Sequence, residues 1–305
     1  MATLMTVHAH PDDESIGTAG VTAKAVAEGH RVVLVTCTRG EQGEIVVPEL
    51  DTPDNHRRLG EIRAAELEAA MGEIGLAEWE SLGYRDSDMM DRVANRDPRS
   101  FWQADVDEAV GRLVWLIRLY RPDVLTTYNE FGGYGHPDHI RTHQVAVRAF
   151  VRAGDAAWYP EQLAAGEGAV EPWAPAKLYE QAFPASVRTA MRERLHAIGR
   201  TWFGEPGDDA TPEERAAFEE MMAKRLVPDE LITTRVDVRP YLEAKYRALS
   251  RHVTQIAPDN PFLVFGADGW REFWPEETFI LRESRVQSSI PETDLFAGVG
   301  PTNRD

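Results

Sequence analysis

The chain has 305 residues, of which 43% are hydrophobic, and this is enough apolar sequence for a large core in one domain or in two closely packed ones. Its formal net charge of −18 makes nucleic acid and anionic membranes poor partners, so we expect neither. The sequence has no apolar run near the roughly 18 residues that a membrane-spanning helix needs, and it shows no evident secretory signal. Cys37 is the only cysteine, so an intrachain disulfide is excluded. Together these features predict a cytoplasmic protein.

The first half of the chain alternates predicted strands and helices. An apolar run at residues 3–7 predicts a buried strand, and an Ala-rich stretch at 15–29 with apolar spacing near 3.6 predicts the helix after it. The other predicted elements are strands at 31–38, 80–83 and 123–128 and helices at 57–74, 106–120 and 140–152. This β-α-β-α-β-α-β-α pattern predicts a Rossmann-like, open and mainly parallel α/β sheet over residues 1–155.

The second half, residues 156–305, has a less regular pattern and predicts a smaller α/β part. Thr211 and the residues after it are typical of a helix start, and they predict a helix that ends near Arg225. The other predicted elements are strands at 232–238 and 278–285 and a helix at 241–252. We expect this part to pack on the first and complete a substrate pocket rather than to fold alone.

Two clusters of histidines and acids follow the first and fourth predicted strands. They are residues 8–14, with the sequence HAHPDDE, and residues 132–139, with the sequence GGYGHPDH. In a doubly wound sheet of order 3-2-1-4, strands 1 and 4 are neighbours, and ligands bind beyond their carboxyl ends. The topology therefore predicts that the clusters meet, although about 130 residues separate them.

The residue types in these clusters suit a catalytic metal site. Imidazole nitrogens and a carboxylate oxygen are ligands that zinc accepts, and three of them plus a water form the usual catalytic set, so we assign His10, Asp13 and His139 as ligands. Iron(II) accepts the same ligands and stays an alternative. Asp12 is then free to act as the general base on the metal's water.

The other acid and histidine of the second cluster are assigned supporting roles. His136 is three residues before His139 and is expected either to stabilise the oxyanion or to protonate the leaving amine. Asp138 is expected to orient an imidazole. Each cluster alone is weak evidence, because a single His-x-His or Gly-rich turn is usually incidental, and the expected meeting of the two clusters is what favours function.

These motifs resemble those of the LmbE-like, or GlcNAc-phosphatidylinositol de-N-acetylase, family of zinc amidases. The likeness rests on residues 8–14 and 135–139 and extends over most of the chain, including residues 36–41, 252–256 and 291–296. The resemblance implies the same three metal ligands, with Asp12 as the base and His136 on the oxyanion. It further implies that Tyr134 assists carbonyl polarisation and that Arg63 and Asp86 bind sugar hydroxyls.

Within this family the chain resembles the two mycothiol-pathway branches. The first interpretation is an amidase that acts on mycothiol S-conjugates and so hydrolyses the amide of an N-acylated glucosamine conjugate. The alternative is a deacetylase of N-acetylglucosaminyl-inositol or of another N-acetylaminosugar. The amidase branch carries a lysine shortly after the first motif, where this chain has the sequence SIGT at residues 15–18. In both cases the partner is a small aminosugar conjugate, and a homo-oligomer stays open.

Two other classes compete with these interpretations. His8, His10 and Asp12 match the start of the metallo-β-lactamase pattern His-x-His-x-Asp-His, but position 13 is Asp and the predicted surroundings are βαβ rather than a β-sandwich. A sugar-binding protein without catalysis is the other class. Binding alone needs no general base, so the presence of Asp12 and His136 beside the ligands argues against it.

Overall fold

A single seven-stranded sheet organises the chain, as seen in a computed structural model that describes residues 1–164, 169–202, 204–207 and 209–300. The strands are β1 (Thr3–His8), β2 (Arg31–Thr36), β3 (Glu78–Ser81), β4 (Val124–Thr127), β5 (Lys177–Ala182), β6 (Thr234–Asp237) and β7 (Glu276–Ser284). The helices are α1 (Asp13–Gly17), α2 (Ala19–Ala27), α3 (Pro53–Arg57), α4 (Leu59–Ile74), α5 (Val106–Tyr120), α6 (Pro137–Arg152), α7 (Ala185–Ala197), α8 (Pro212–Arg225), α9 (Leu242–Leu249) and α10 (Gly266–Phe273).

The order of the strands is β3-β2-β1-β4-β5-β7-β6. The five strands from β3 to β5 are parallel, and β7 runs antiparallel both to β5 and to β6. The predicted 3-2-1-4 arrangement and the mainly parallel α/β class are confirmed. Because the order reverses between β1 and β4, the segments after these two strands lie side by side at one edge of the sheet.

Hydrophobic cores lie on both faces of the sheet, because successive residues of a strand point to opposite sides. Leu4 packs into one core with apolar residues of α2, α4 and α9, and Met5 packs into the other with residues of α5 and α6. All six residues of β1 are buried. A strand that is covered on both faces reads as a continuous apolar run, and this is why β1 could be predicted.

Three features differ from the sequence-based expectations. The predicted helix at 15–29 is interrupted at Thr18 and forms α1 and α2, and Thr18 caps α2 without a side-chain bond. Glu277 of β7 instead accepts hydrogen bonds from the amides of Gly20 and Val21, each at 2.8 Å. A cap supplied from the far end of the chain leaves no local signal. The strand β5 and the helices α7 and α10 were also not predicted.

The two halves of the chain share this sheet. β5 of the second half pairs with β4 of the first in parallel, from Val124 opposite Lys177 to Thr127 opposite Glu180. This continuity fits the expectation that the second half does not fold alone, and the division at residue 155 stays a prediction. Within the described ranges, the helices include none that is long and apolar enough to cross a membrane.

A candidate metal centre at the β1 and β4 strand ends

The two predicted clusters meet at the carboxyl ends of β1 and β4. After β1 ends at His8, the chain turns into α1, and the Asp13 carboxylate accepts a hydrogen bond from the His10 amide at 2.9 Å. His136 is the N-cap of α6, where its Nδ1 accepts the backbone N–H of Asp138 at 3.1 Å. The first turn of α6 then carries the rest of the second cluster to the first.

The three predicted ligands lie at the corners of a nearly equilateral triangle. The His10 Nδ1 atom is 3.4 Å from Asp13 Oδ2 and 3.3 Å from His139 Nε2, and His139 Nε2 is 3.3 Å from Asp13 Oδ2. Ligand bonds of about 2.0–2.1 Å, as zinc makes in proteins, place ligand atoms of a tetrahedral site about 3.3–3.4 Å apart. The spacing therefore fits a metal ion held by these three side chains with a fourth position left for water or substrate.

Other groups of side chains near His10 could also hold a metal. The atoms of His10, His136 and His139 lie within 4.8 Å of one another, and so do those of a second set made of His10, Asp86, His136 and Asp138. In both sets, however, the Nδ1 of His136 already accepts the amide of Asp138. The shorter and more even spacing of the predicted triad favours it as the metal site.

Neighbouring groups orient the two ligand imidazoles. The Nε2 atom of His10 lies 3.2 Å from Asp138 Oδ2, so that its Nδ1 is left deprotonated for a metal. Asp138 is fully buried and is itself held by the amide and hydroxyl of Ser87. The His139 ring stacks on Tyr128 at 4.2 Å, while its Nδ1 has no acceptor among the described residues. The predicted role of Asp138 agrees with its contact.

Asp12 lies beside the triad in a strained backbone conformation, with a φ of 115°. Burial raises the pKa of its carboxyl to about 6, against the lowering effect of Arg63, whose Nη2 lies 3.2 Å from Asp12 Oδ2. A carboxyl group with a pKa near neutrality can both accept and return a proton. Positive φ in a residue other than glycine is costly and is common at functional sites.

A buried pair of charged residues supports this backbone conformation. The Glu14 carboxylate accepts the amide of Asp12 at 2.9 Å, and its other oxygen lies 2.8 Å from Nε2 of His252, which follows α9. Glu14 and His252 are 2% and 0% exposed. Although burial opposes it, the charge of His252 lowers the pKa of Glu14, and Glu14 in turn raises the pKa of His252. Sequence reasoning noted His252 only through the family resemblance and gave it no role.

His136 and Tyr134 lie beside the triad, with ring centres 4.6 Å from the His10 ring and 4.7 Å from the His139 ring, respectively. Burial, helped by the charges of His10 and His139, lowers the pKa of His136 to about 2, so its imidazole is neutral. With Nδ1 used as an acceptor, Nε2 carries the proton and is the ring's hydrogen-bond donor. The Tyr134 hydroxyl lies 3.4 Å from His139 Nε2. The roles of both side chains as donors to the reacting oxygen stay predictions.

Arg63 and Asp86, which the resemblance assigns to sugar binding, are both buried and engaged by the protein. Arg63 donates to the carbonyls of Gly40 and Pro11 at 2.9 and 2.6 Å and also pairs with Asp12. Asp86 accepts the amides of Gln42 and Asp88. Their assignment to substrate stays a prediction, and the observed contacts give Arg63 a further part in holding Asp12.

A cavity of about 500 Å³ opens from the triad. Asp12, Asp13, Tyr134 and His139 form its metal end. Much of its remaining wall comes from the second half of the chain and includes the aromatic residues Phe183, Trp202, Phe262 and Trp274 together with Gln181 and Arg225. Most of these residues lie in irregular segments or in the unpredicted strand β5, where the sequence carries no periodic signal. Arg225 is the exception, because it ends the predicted helix α8.

Comparison with known proteins agrees with this geometry. The sequence profile of the PIG-L family, GlcNAc-PI de-N-acetylase, matches residues 5–150, which span both clusters. A protein from Geodermatophilus obscurus is 42% identical over 303 residues, covering 97% of each chain, and is named 1D-myo-inositol 2-acetamido-2-deoxy-alpha-D-glucopyranoside deacetylase. The chain belongs to the PIG-L family. A protein of the same name from Streptomyces avermitilis is 41% identical, with 98% of this chain and 97% of the other covered.

Solved structures show the same fold at lower identity. N,N'-diacetylchitobiose deacetylase from Pyrococcus horikoshii has a TM-score of 0.58 at 18% identity, covering 92% of this chain and 83% of the other. GalB, a 4-carboxy-2-hydroxymuconate hydratase from Pseudomonas putida, has a TM-score of 0.56 at 18% identity, covering 95% and 99%. Since a deacetylase and a hydratase share this fold, the reaction has to be argued from the side chains of the site.

Proposed function

We propose that this PIG-L family member is a zinc-dependent deacetylase that removes the acetyl group of N-acetylglucosaminyl-inositol. The observation that carries the proposal is the triangle of His10, Asp13 and His139 ligand atoms with Asp12 beside it. The substrate is taken from the relatives at about 42% identity, which cover nearly the whole chain.

The donor set supports zinc as the metal. Two imidazole nitrogens and one carboxylate oxygen, with a fourth position open, form a common catalytic zinc set. When bound there, zinc polarises the amide carbonyl and lowers the pKa of water. Iron(II) remains the alternative that these ligands allow.

The side chains divide the proton transfers between them. Asp12 takes a proton from the attacking water as the water oxygen bonds to the amide carbon. The neutral His136 donates from Nε2 to the oxygen that gains negative charge, and Tyr134 donates to the same oxygen. The C–N bond then breaks and Asp12 returns the proton to the amine nitrogen. Acetate and the free aminosugar are the products.

The family comparisons favour the deacetylase over the amidase, which was our first interpretation. The relatives compared above carry the deacetylase name, and the lysine expected for the amidase branch is absent from residues 15–18. Both reactions hydrolyse an amide on glucosamine with the same machinery. The preference therefore concerns the acyl group and leaves the chemistry unchanged.

A comparison of substrates tests the proposal. The zinc-loaded protein is assayed for amine release from N-acetylglucosaminyl-inositol, a mycothiol S-conjugate and N-acetylglucosamine, and we expect the first to give the highest kcat/KM. The Asp12→Ala variant should retain zinc and lose at least about 100-fold in kcat. Stoichiometric zinc with no amide hydrolysis on any of the three would favour the sugar-binding alternative, and near-normal turnover by Asp12→Ala would remove Asp12 as the base.

A further inference from the structure

Arg225 is a cation that lines the cavity without an anionic partner. It is the last residue of α8, is partly buried, and has its guanidinium carbon 5.9 Å from the centre of the Tyr134 ring. Its Nε atom is buried and has no hydrogen-bond acceptor, and within the described part of the chain no carboxylate pairs with it. The adjacent Lys224, by contrast, pairs with Glu220 at 2.9 Å.

Arg63, Arg141 and Arg188 also have a buried Nε without an acceptor, but each makes another hydrogen bond or ion pair, whereas Arg225 makes none among the described residues. The chain has 51 acidic residues against 33 basic ones, so carboxylates are abundant. Burial lowers the pKa of Arg225, which reflects the cost of removing its charge from water. The last turn of a helix favours a cation, but that does not explain a buried Nε without an acceptor.

The other charged residues that line the cavity are already paired or belong to the metal triad, whereas Arg225 has no partner among the described residues. Glu277 also lines the cavity, but it is neutralised by Lys245 at 2.8 Å and by two backbone amides. Asp12 pairs with Arg63, and Asp13 belongs to the metal triad. Among the described lining residues, Arg225 is the one lysine or arginine.

A second donor without a partner lines the same cavity. The side-chain Nε2 of Gln181, at the end of β5, is buried and has no acceptor among the described residues. Buried donors are nearly always satisfied in folded proteins. Arg225 and Gln181 thus offer two cavity-lining donors that a ligand with acceptor oxygens can satisfy.

We propose that Arg225 is a specificity-determining residue that binds a phosphate or carboxylate group of the substrate. The proposal rests on the deacetylase function and extends its substrates to acylated glucosaminyl-inositol compounds that carry a negative charge. Guanidinium groups suit such oxyanions because they offer two parallel N–H donors. The Tyr134 ring centre lies 5.9 Å from the guanidinium carbon of Arg225 and 4.7 Å from the His139 ring centre, so the proposed anion site and the metal ligand border the same ring.

The negative group can come from either end of the substrate, and two substrate pairs distinguish the sources. The first pair is N-acetylglucosaminyl-inositol with and without a phosphate monoester on the inositol. The second is the N-succinyl and N-butanoyl forms of glucosaminyl-inositol, where the carboxylate belongs to the acyl group. For the zinc-loaded protein, the quantity measured is the ratio of kcat/KM for the charged member to that for the neutral member.

We expect Arg225→Gln to lower this ratio by about tenfold to a hundredfold in at least one pair, as the loss of a charged hydrogen bond does. The pair that responds identifies the source of the anion. Arg225→Lys should retain part of the preference. Lys224→Gln removes a neighbouring exposed charge and is the matched control, with both ratios within about twofold of the parent protein.

Ratios that are the same in Arg225→Gln and the parent for both pairs would overturn the proposal. Calorimetric binding of glucosaminyl-inositol, with and without the phosphate, gives a readout that needs no turnover. If no substrate is hydrolysed, the deacetylase function fails, while a phosphate preference in binding that depends on Arg225 still supports the anion site. No such preference in either readout would end the Arg225 proposal alone.

Discussion

Replacing Glu14 by glutamine tests whether the backbone of Asp12 is held in place for catalysis. Both carboxylate oxygens of Glu14 are used, one by the Asp12 amide at 2.9 Å and the other by Nε2 of His252 at 2.8 Å and by the hydroxyl of Ser15. A glutamine side chain has only one oxygen, so its NH2 group must take the place of one of these acceptors. The variant keeps the size of the side chain and removes the negative charge and one acceptor oxygen.

The magnitude follows from the strain at Asp12. A positive φ of 115° in a residue other than glycine costs about 1–3 kcal/mol. The hydrogen bond to the charged Glu14 contributes about 1.5–3 kcal/mol and offsets that cost. If the bond is lost, Asp12 relaxes away from the position of the attacking water, and we expect kcat to fall about 10- to 150-fold.

The assay compares kcat, KM and zinc content of Glu14→Gln with those of a matched variant. Glu66→Gln is that control, because Glu66 accepts the amide of Thr254 at 2.7 Å in the segment after His252 but has no contact with Asp12. We expect Glu14→Gln to keep its zinc and a KM within about threefold while kcat falls. Glu66→Gln should lose stability and keep its kcat.

Equal turnover in Glu14→Gln and the parent protein would refute the reasoning, since the strained turn would then hold without the carboxylate. Loss of zinc in Glu14→Gln would refute it differently, by showing that Glu14 supports Asp13 rather than Asp12. A fall in kcat of the same size in Glu66→Gln would assign the effect to general loosening of the 252–256 segment.

Three further predictions concern the metal and two buried ion pairs. His139→Ala should lose bound metal, measured by elemental analysis, and retained stoichiometric metal would remove His139 from the ligand set. Lys245→Met leaves the 2%-exposed Glu277 without its cation and should lower the free energy of unfolding in urea by about 3–5 kcal/mol, whereas Lys24→Met at an exposed pair should cost less than about 1 kcal/mol. Burial opposes ionisation of Glu292, but Lys177 and the Tyr179 hydroxyl lower the pKa of its carboxyl overall. The contribution of Glu292 to stability is therefore present above its unfolded pKa and is lost as the pH falls through its folded pKa. The free energy of unfolding of Glu292→Gln should depend less on acid pH than that of the parent protein, and identical pH profiles would contradict this.

The meeting of the two clusters at the candidate metal site could be predicted because the signal lies in short segments of sequence. Each cluster directly follows a buried strand, and the carboxyl ends of β1 and β4 are adjacent in the strand order that the βαβ pattern favours. The side chains of His10 and His139 therefore meet for reasons visible in short segments of sequence. The orientation of His10 by Asp138 follows from the same two segments.

The part of the cavity wall that comes from the second half of the chain could not be predicted, because local sequence patterns are weak there. Phe183 lies just after β5, a strand with the sequence KLYEQA that alternates poorly, and Trp202 and Phe262 lie outside helices and strands. Arg225 was read only as the end of a helix. The surrounding sequence does not distinguish Arg225 from Lys224. Only the structure does, because Arg225 lines the cavity and its Nε has no acceptor among the described residues.

The same division applies to the proposed general base. Asp12 can be assigned from the motif, but the contacts that hold its backbone and its carboxylate cannot. Arg63 of α4 lies against the Asp12 carboxylate. The Asp12 amide donates to Glu14, and Glu14 is in turn held by His252, which lies 238 residues further along the chain. A strained backbone conformation needs a contact that holds it, and a buried carboxylate needs a partner for its charge. Since one of these partners is His252, the second half of the chain contributes to the geometry of a proposed base that lies in the first half.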